Sequence, residues 1–283
     1  MNTFSFDHLK NKVCAITGGG GVIGNAIAEC LSAVGIKVAV LDLVKEFADK
    51  TARALTEKYG TAAIGVEANV LDKESLNKAK EEINKSFGKI DILINCAGGN
   101  SPQATTQVEF MEKENLSELE KTFYGLNIDG FRKVFDLNFM GTLLPTIILT
   151  KDMIENNGGV VLNVSSMNSF RPLTKIPAYS AAKASINNFT EWLAVHLAKM
   201  NIRVNAIAPG FFLTNQNRFL LIDEKTGSLT SRGNKIIAAT PMGKFGEAED
   251  LQGTVLYLLS DLSKFVTGVV IPIDGGFNVY SGV

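Results

Sequence analysis

KVCAITGGGGVIGNAIAECLSAVGIKVAVLD, residues Lys12–Asp42, joins two short apolar runs through four glycines and a helical pattern. The apolar runs, Lys12–Thr17 and Lys37–Asp42, lack the alternation of a half-exposed strand, so each predicts a strand that is buried on both faces. The pattern in Val22–Val34 between them predicts a helix. The stretch is therefore predicted to form a β-α-β unit of a parallel sheet.

The same alternation continues towards the C-terminus. Further strands are predicted at Ala62–Val66, Ile90–Asn95, Val160–Val164, Ile202–Ala208 and Val269–Ile273. Further helices are predicted at Glu46–Lys58, Lys73–Phe87, Phe131–Ile154, Tyr179–Lys199 and Glu247–Ser260. About seven parallel strands with helices on both faces predict one Rossmann-type, doubly wound α/β domain over residues 1–283.

Two segments depart from this rhythm. Residues 100–128 are polar and contain the acidic stretch EFMEKENLSELEK, which suggests a short helix within an insertion. This insertion is expected either to cover a pocket or to meet another subunit. Residues 211–246 are irregular and rich in Asn, Thr and Gly, so they are predicted to form a mobile substrate lid.

Composition excludes several classes of function. The 283 residues include 28 Lys and Arg against 29 Asp and Glu, with no basic block, so nucleic acid is not an expected partner. No stretch of about 20 apolar residues could span a membrane, and the N-terminus lacks a signal-peptide pattern, which predicts a cytoplasmic protein. Cys14, Cys30 and Cys96 are predicted to be reduced. With two distant histidines, they form no metal-binding pattern.

The glycine run lies between the first strand and the first helix. Glycine allows a sharp turn and close approach of a ligand, and the N-terminus of the following helix attracts phosphate. In this context the run predicts a dinucleotide site, although four glycines would also serve a merely flexible turn. The residues expected to contact the cofactor are Gly18, Gly20, Gly21, Val22, Ile23 and Gly24.

Asp42 ends the second strand, 18 residues after Gly24. A carboxylate there can accept hydrogen bonds from the adenosine ribose and would repel a 2′-phosphate, which favours NAD over NADP. The alternative is an aspartate in a solvated turn. Asn95, Ala97 and Gly98 end the fourth strand at the same sheet edge and are expected to line the same site.

Tyr179 and Lys183 are four residues apart and therefore share one face of a helix. A free tyrosine has a pKa of about 10. An ammonium about 4 Å away contributes roughly 4 kcal/mol at an effective dielectric constant near 20, which would lower that pKa by up to about three units. The pair is therefore a candidate acid/base group, although such pairs by themselves are common on helix surfaces.

Together these motifs resemble those of the short-chain dehydrogenase/reductase family, over about residues 12–276. The residues that carry the resemblance follow the family's order and spacing: TGGGGVIG from Thr17, NCAG from Asn95, Asn138, Ser166, Tyr179-x-x-x-Lys183 and Pro209-Gly210. The resemblance implies that the serine holds the substrate oxygen and that the tyrosine exchanges its proton. It also implies that the lysine binds the nicotinamide ribose, that Asn138 anchors a proton-relay water, and that the chain forms a homodimer or homotetramer.

The same resemblance places further cofactor contacts at Asn69, Val70, Pro209, Gly210 and Thr214. Thr214 would contact the nicotinamide carboxamide, and Asn69 stands near the adenine, where an aspartate is common. Val22 stands where the pattern TGxxxGxG has glycine, so the adjacent Gly21 is expected to compensate.

Four stretches also resemble one branch of the family, the D-mannonate oxidoreductases or fructuronate reductases. They are GFRKVFDLNFMGTLLPT, SSMNSFRPLTKIPAYSAAKAS, APGFFLTNQNRFLL and FVTGVVIPIDGGF. The branch implies NADH-dependent reduction of D-fructuronate to D-mannonate. A sugar acid needs a cation for its carboxylate and polar groups for its hydroxyls. The candidates are Arg171, Lys175 and Arg218 for the former, and Asn168, Asn215, Gln216 and Asn217 for the latter.

Other activities stay open on the sequence alone. A second enzymatic reading is another polyol or sugar-acid dehydrogenase, such as a gluconate 5-dehydrogenase type. A second hypothesis, from a different functional class, is a non-catalytic NAD-binding sensor. The full Asn–Ser–Tyr–Lys set argues against it, because a sensor would not need all four residues. Reduction of acyl thioesters would favour an NADP site, and Asp42 argues against it.

Overall fold

A computed structural model describes residues 5–213 and 218–282. Its centre is a parallel sheet in the order β3-β2-β1-β4-β5-β6-β7. The strands are β1 (Val13–Thr17), β2 (Lys37–Asp42), β3 (Ala63–Glu67), β4 (Ile92–Asn95), β5 (Gly159–Val164), β6 (Ile202–Pro209) and β7 (Val270–Ile273). The predicted single α/β domain with seven parallel strands is confirmed.

Helices cover both faces of the sheet. They are α1 (Val22–Ala33), α2 (Lys45–Tyr59), α3 (Lys73–Phe87), α4 (Ile128–Phe135), α5 (Gly141–Leu149), α6 (Lys151–Glu155), α7 (Pro177–Leu197), α8 (Arg218–Leu221), α9 (Ser231–Ala238) and α10 (Gln252–Leu259). Adjacent side chains of the central strands, such as Ala15 and Ile16, are both fully buried, one in each of two core layers. This burial on both faces explains why the strand sequences do not alternate. Within the described ranges, no helix is both long and apolar enough to cross a bilayer.

The chain order reverses between β1 and β4, which are neighbours in the sheet. Chain segments leave these two strands in opposite directions, so a crevice opens at their carboxyl ends. Thr17, the last residue of β1, holds this edge together. Its hydroxyl oxygen accepts hydrogen bonds from the N–H groups of Cys96 (3.1 Å) and Ala97 (3.2 Å).

The predicted helix over residues 131–154 is interrupted. A π turn, Asp136–Met140, separates α4 from α5, and α6 follows as a further short helix. The Thr142 hydroxyl donates to the carbonyl of Asn138 at 2.9 Å, within this widened turn. Such π turns are frequent at functional sites. Here the turn contains the predicted catalytic Asn138.

Two other segments also differ in detail from expectation. Residues 102–125 contain four short 3₁₀ turns instead of one acidic helix. The predicted irregular lid contains α8 and α9. The insertion contacts the lid through an exposed ion pair between Glu109 and Lys235 (3.1 Å). It also contacts the loop before α7, where the Lys175 ammonium donates to the carbonyl of Gln107 at 2.7 Å.

Candidate active site

A cavity of about 610 Å³ opens at the carboxyl edge of the sheet. It gathers residues from the glycine loop, the end of β4, the segment after β5, and the first turns of α7. The predicted site residues that line it are Gly18, Gly21, Val22, Ile23, Gly24, Asp42, Ala97, Gly98, Ser166, Asn168, Tyr179, Lys183, Pro209 and Gly210. These residues, distant in sequence, thus share one site.

Other predicted residues do not line this cavity. They are Gly20, Asn69, Val70, Asn95, Asn138, Arg171, Lys175 and Arg218, while Thr214, Asn215, Gln216 and Asn217 lie outside the described residues. Asn95 is buried, and its amide donates to Thr146 and Asn163, both at 2.9 Å. Asn69 accepts a hydrogen bond from the N–H of Leu71 at 3.0 Å, within its own turn. Asn95 therefore links buried side chains behind the cavity, and Asn69 holds the backbone of its own turn.

The glycine loop packs directly against the turn after β4. Gly18 has a φ of +64°, and a Cβ atom there would lie 2.8 Å from the Cα of Ala97. A Cβ at Gly24 would overlap the carbonyl oxygen of Gly18. Gly21 is the N-cap of α1, and Val22 is its first residue. Val22 therefore stands where the chain is already helical, and glycine is not needed there.

Replacing Gly24 with alanine is expected to lower the free energy of unfolding by about 2 kcal/mol, because backbone must move to admit the methyl group. The displaced loop should also weaken NADH binding. Gly253→Ala is the matched control, since a Cβ there meets nothing within 4 Å and alanine favours the helix. Denaturant unfolding and NADH titration of both variants measure the effects. A Gly24→Ala protein as stable as the control would contradict this account of the loop.

Asp42 and the N-terminus of α1 fit a dinucleotide whose adenosine ribose carries no 2′-phosphate. Asp42 is fixed at the cavity because its two oxygens accept from the N–H groups of Gly20 and Val44, each at 3.2 Å. A carboxylate offers more than one acceptor site per oxygen, so acceptors remain for ribose hydroxyls. The N-terminus of α1 lies in the same cavity wall and favours negative charge.

The acid/base group stands at the start of α7, whose first residue is Pro177. Tyr179 is half-buried, and its phenol forms a hydrogen bond with Ser166 from the segment after β5. One turn further along, Lys183 is only 3% exposed. Its ammonium donates to the carbonyl of Val164 at 2.8 Å and lies 5.6 Å from the centre of the Tyr179 ring.

The expected lowering of the Tyr179 pKa is wrong for this arrangement. Burial raises the pKa of Tyr179 above its usual value, and the hydrogen bond with Ser166 offsets this only in part. Burial also lowers the pKa of Lys183 to about 8, because a desolvated ammonium is disfavoured. The spacing in sequence correctly indicated that the two side chains are neighbours, but burial is the largest cause of both pKa shifts. Tyr179 therefore retains its proton at neutral pH and is suited to donate it.

Asn138 does not line the cavity but holds the backbone of residues that do. It is fully buried in the π turn, and its amide donates to the carbonyl oxygens of Gly99 and Val134, each at 2.7 Å. Its side-chain oxygen accepts from the N–H of Gly99 at 3.2 Å. A Cβ at Gly98 would lie 2.6 Å from that oxygen and 3.3 Å from the Lys183 nitrogen. Asn138 thus positions the turn after β4, while its predicted role in a water relay stays a prediction.

The cations expected to meet a carboxylate are placed elsewhere. The Arg171 guanidinium donates to the carbonyl of Tyr280 at 2.9 Å, and the Lys175 ammonium is bound to Gln107. Arg232 from α9 also lines the cavity, although it was not predicted as a site residue. Thr230 could have indicated the helix that carries Arg232, because threonine is a typical N-cap residue and predicts a helix over the residues that follow it.

Fold and site together define a dinucleotide-dependent oxidoreductase. Residues 20–278 match the family described as Enoyl-(Acyl carrier protein) reductase. An uncharacterised oxidoreductase of Bacillus subtilis, UxuB, is 49% identical over 98% of this chain and 98% of its own. The 2-dehydro-3-deoxy-D-gluconate 5-dehydrogenase of Formosa agariphila is 32% identical over 98% of this chain and 96% of its own.

A Haemophilus influenzae protein, provisionally assigned as a D-mannonate oxidoreductase, has been solved with bound NAD. It is 50% identical, has a TM-score of 0.92, and the match covers 97% of this chain and 98% of that one. The chain belongs to the short-chain dehydrogenase/reductase family. The predicted family, enzyme class and NAD cofactor are thereby confirmed.

Proposed function

We propose that this protein interconverts a sugar acid and its keto form with NAD(H), reducing D-fructuronate to D-mannonate. The observation that carries the proposal is the pairing of a proton donor with an unused polar group in one cavity. Tyr179 retains its proton beside Ser166, and Asn168 lines the same cavity at 6% exposure. The side-chain oxygen of Asn168 is buried and has no hydrogen-bond partner among the described residues. Because this oxygen is closed to solvent in the cofactor-free protein, the side chain would have to turn to offer it to a substrate hydroxyl.

The chain's own residues supply binding and proton transfer. The Ser166 hydroxyl would hold the substrate carbonyl oxygen next to the Tyr179 phenol, which protonates that oxygen as C5 of D-fructuronate is reduced. Lys183 would hold the nicotinamide ribose. When bound, the nicotinamide supplies the hydride. In the reverse direction Tyr179 must first release its own proton to solvent, and the resulting phenolate then takes the proton from the D-mannonate hydroxyl. Because the pKa of Tyr179 is raised, oxidation should become faster as the pH rises.

NAD is proposed over NADP because Asp42 is held against the glycine loop. Its two backbone hydrogen bonds prevent the carboxylate from turning away from a 2′-phosphate. Like charges at about 4 Å cost roughly 4 kcal/mol at an effective dielectric constant near 20. This repulsion also argues against an NADP-dependent acyl thioester reductase, despite the description of the matching family.

Another sugar-acid dehydrogenase is the second candidate. The Formosa agariphila relative acts at position 5 of a related acid, as its name says. Assays with several sugar acids separate this candidate from the first. Turnover of any carbonyl substrate would exclude a sensor without catalysis.

The proposal is tested by nicotinamide absorbance with purified protein, D-fructuronate, and either NADH or NADPH. We expect oxidation of NADH to be faster than that of NADPH by a factor of at least about ten, given the repulsion at Asp42. Equal use of both cofactors would contradict the role of Asp42. A failure to oxidise either cofactor would contradict the substrate, and other keto-acids and polyols would then be screened.

We also propose that the protein works in the cytoplasm as a homodimer or homotetramer, packed through the helices around 131–154 and 178–200. Exposed apolar side chains support this packing: Ile147 on α5 is 53% exposed, and Trp192 and Val195 on α7 are 57% and 80% exposed. We propose likewise that residues 1–283 form one NAD-binding domain, in which residues 100–128 are an insertion and residues 211–246 form the substrate lid.

A further inference from the structure

We infer that Arg232 is the residue that binds the substrate carboxylate and thereby selects acids over neutral sugars. The inference rests on the proposed function and names the charged contact of that site. Arg232 and Lys183 are the two cationic side chains among the described residues that line the cavity. Lys183 is buried beside Tyr179 and bound to Val164, so the arginine is the one available for a second charged group.

Arg232 has no ion pair or hydrogen bond to the rest of the chain, as far as the structure describes it. Its side chain is exposed, and the carboxylate that shares the cavity, Asp42, is held by Gly20 and Val44 instead. An unpaired guanidinium in a cavity offers two parallel N–H donors, which match the two oxygens of a carboxylate. The three predicted cations are less suitable. Arg171 and Lys175 already donate to carbonyl oxygens, and Arg218 does not line the cavity.

The position of Arg232 is set by a packed helix. Thr230 caps α9 by accepting from the N–H of Gly233 at 3.0 Å, and Ile236 is 6% exposed. A Cβ at Gly233 would overlap the carbonyl oxygen of Leu221, so α9 lies close against α8. The helix thus fixes the backbone from which Arg232 reaches the cavity.

Asn168 contributes an uncharged polar side chain to the same cavity. Its side-chain oxygen is buried without a partner in the described part of the chain, and it lines the same cavity. A hydroxy acid that is held at the reacting carbon by Ser166 and Tyr179 could place a hydroxyl at Asn168 and its carboxylate at Arg232. A neutral sugar could use only the first of these contacts.

The test compares substrates that differ only in the carboxylate. D-fructuronate and D-fructose are reduced with NADH by the wild type, Arg232→Gln and Arg232→Lys. We expect Arg232→Gln to lower kcat/KM for D-fructuronate by about 10- to 100-fold, the effect of losing a charge-assisted contact. The rate with D-fructose should not change, and Arg232→Lys should fall between. Lys225→Gln is the control, since it removes an exposed positive charge from the same segment outside the cavity lining.

Binding of D-mannonate and D-mannitol to the NAD-loaded protein, measured by calorimetry, separates this inference from the proposed reaction. If the wild type reduces D-fructuronate and Arg232→Gln does so equally well, the inference is wrong and the proposed function stands. If D-mannonate binds without turnover and Arg232→Gln weakens that binding, the inference stands and the reaction is wrong. If D-mannonate does not bind to the wild type, both are overturned.

Discussion

Tyr179→Phe is expected to lower kcat for reduction of D-fructuronate by about 10³-fold, because proton transfer by a positioned side chain contributes between about 10² and 10⁴. Phenylalanine keeps the ring that lines the cavity and removes only the hydroxyl bonded to Ser166. NADH affinity should therefore remain at the wild-type value. Steady-state kinetics and an NADH titration on the same samples measure both quantities.

Tyr257→Phe provides the matched control for this substitution. Tyr257 lies on α10 outside the cavity lining and is 38% exposed, so the loss of its hydroxyl should leave kcat unchanged. A Tyr179→Phe enzyme that retained the wild-type kcat would show that another group donates the proton. A loss of NADH binding together with kcat would instead assign the phenol a role in cofactor binding.

Elements whose signals are local could be predicted from the sequence closely. The predictions Lys37–Asp42 and Lys73–Phe87 coincide with β2 and α3. Gly35 lies just ahead of β2, Gly88 ends α3, and Asp72 caps α3 through a hydrogen bond from the N–H of Ser75. Asp42 could be placed at the site for the same reason, because strand ends in a parallel sheet share one edge.

Directions of side chains could not be predicted in this way. Arg171 and Lys175, which lie between Ser166 and Tyr179 in the sequence, were predicted to bind the substrate carboxylate. Their actual partners are Tyr280, 109 residues away, and Gln107, 68 residues away. Such contacts depend on tertiary packing, which no local pattern encodes. Arg232 was missed for the same reason, since its route into the cavity depends on how α9 packs against α8.

The burial of a side chain also cannot be predicted from the spacing of residues in the sequence. The four-residue separation of Tyr179 and Lys183 correctly indicated that they share a helix face. It did not reveal that Lys183 would be 3% exposed, or that desolvation would dominate both pKa values. In water, an ammonium would stabilise a neighbouring phenolate as expected, whereas burial in the cavity wall favours the neutral form of each group.

Lys183→Met is expected to remove most of the activity and yet to stabilise the cofactor-free protein at neutral pH. The pKa of Lys183 falls through burial from 10.5 to about 8, which corresponds to roughly 3 kcal/mol at about 1.36 kcal/mol per unit. Methionine fills similar space without a charge, but it loses the hydrogen bond to Val164, at a cost of about 1 kcal/mol. The net gain in the free energy of unfolding at pH 7 is therefore about 2 kcal/mol.

The pH dependence fixes the sign of this effect. Between pH 8 and 10.5 the unfolded chain binds a proton at Lys183 that the folded chain does not, so wild-type stability from this group rises with pH across that window. The destabilisation is fully present below pH 8 and disappears above about 10.5. The advantage of Lys183→Met should therefore be largest at pH 7 and should vanish or reverse in strongly basic solution.

Denaturant unfolding of the cofactor-free wild type, Lys183→Met and Lys199→Met at pH 7 and pH 10 tests this prediction. Lys199 is exposed beyond the end of α7, so its replacement should change neither stability nor turnover. For Lys183→Met we expect kcat/KM to fall by about 10²-fold, since a group that orients cofactor and acid is lost. A variant less stable than wild type at pH 7 would mean that the ammonium is stabilised where it lies. Stability gained together with activity lost would show that the fold retains a buried charge for the sake of its reaction.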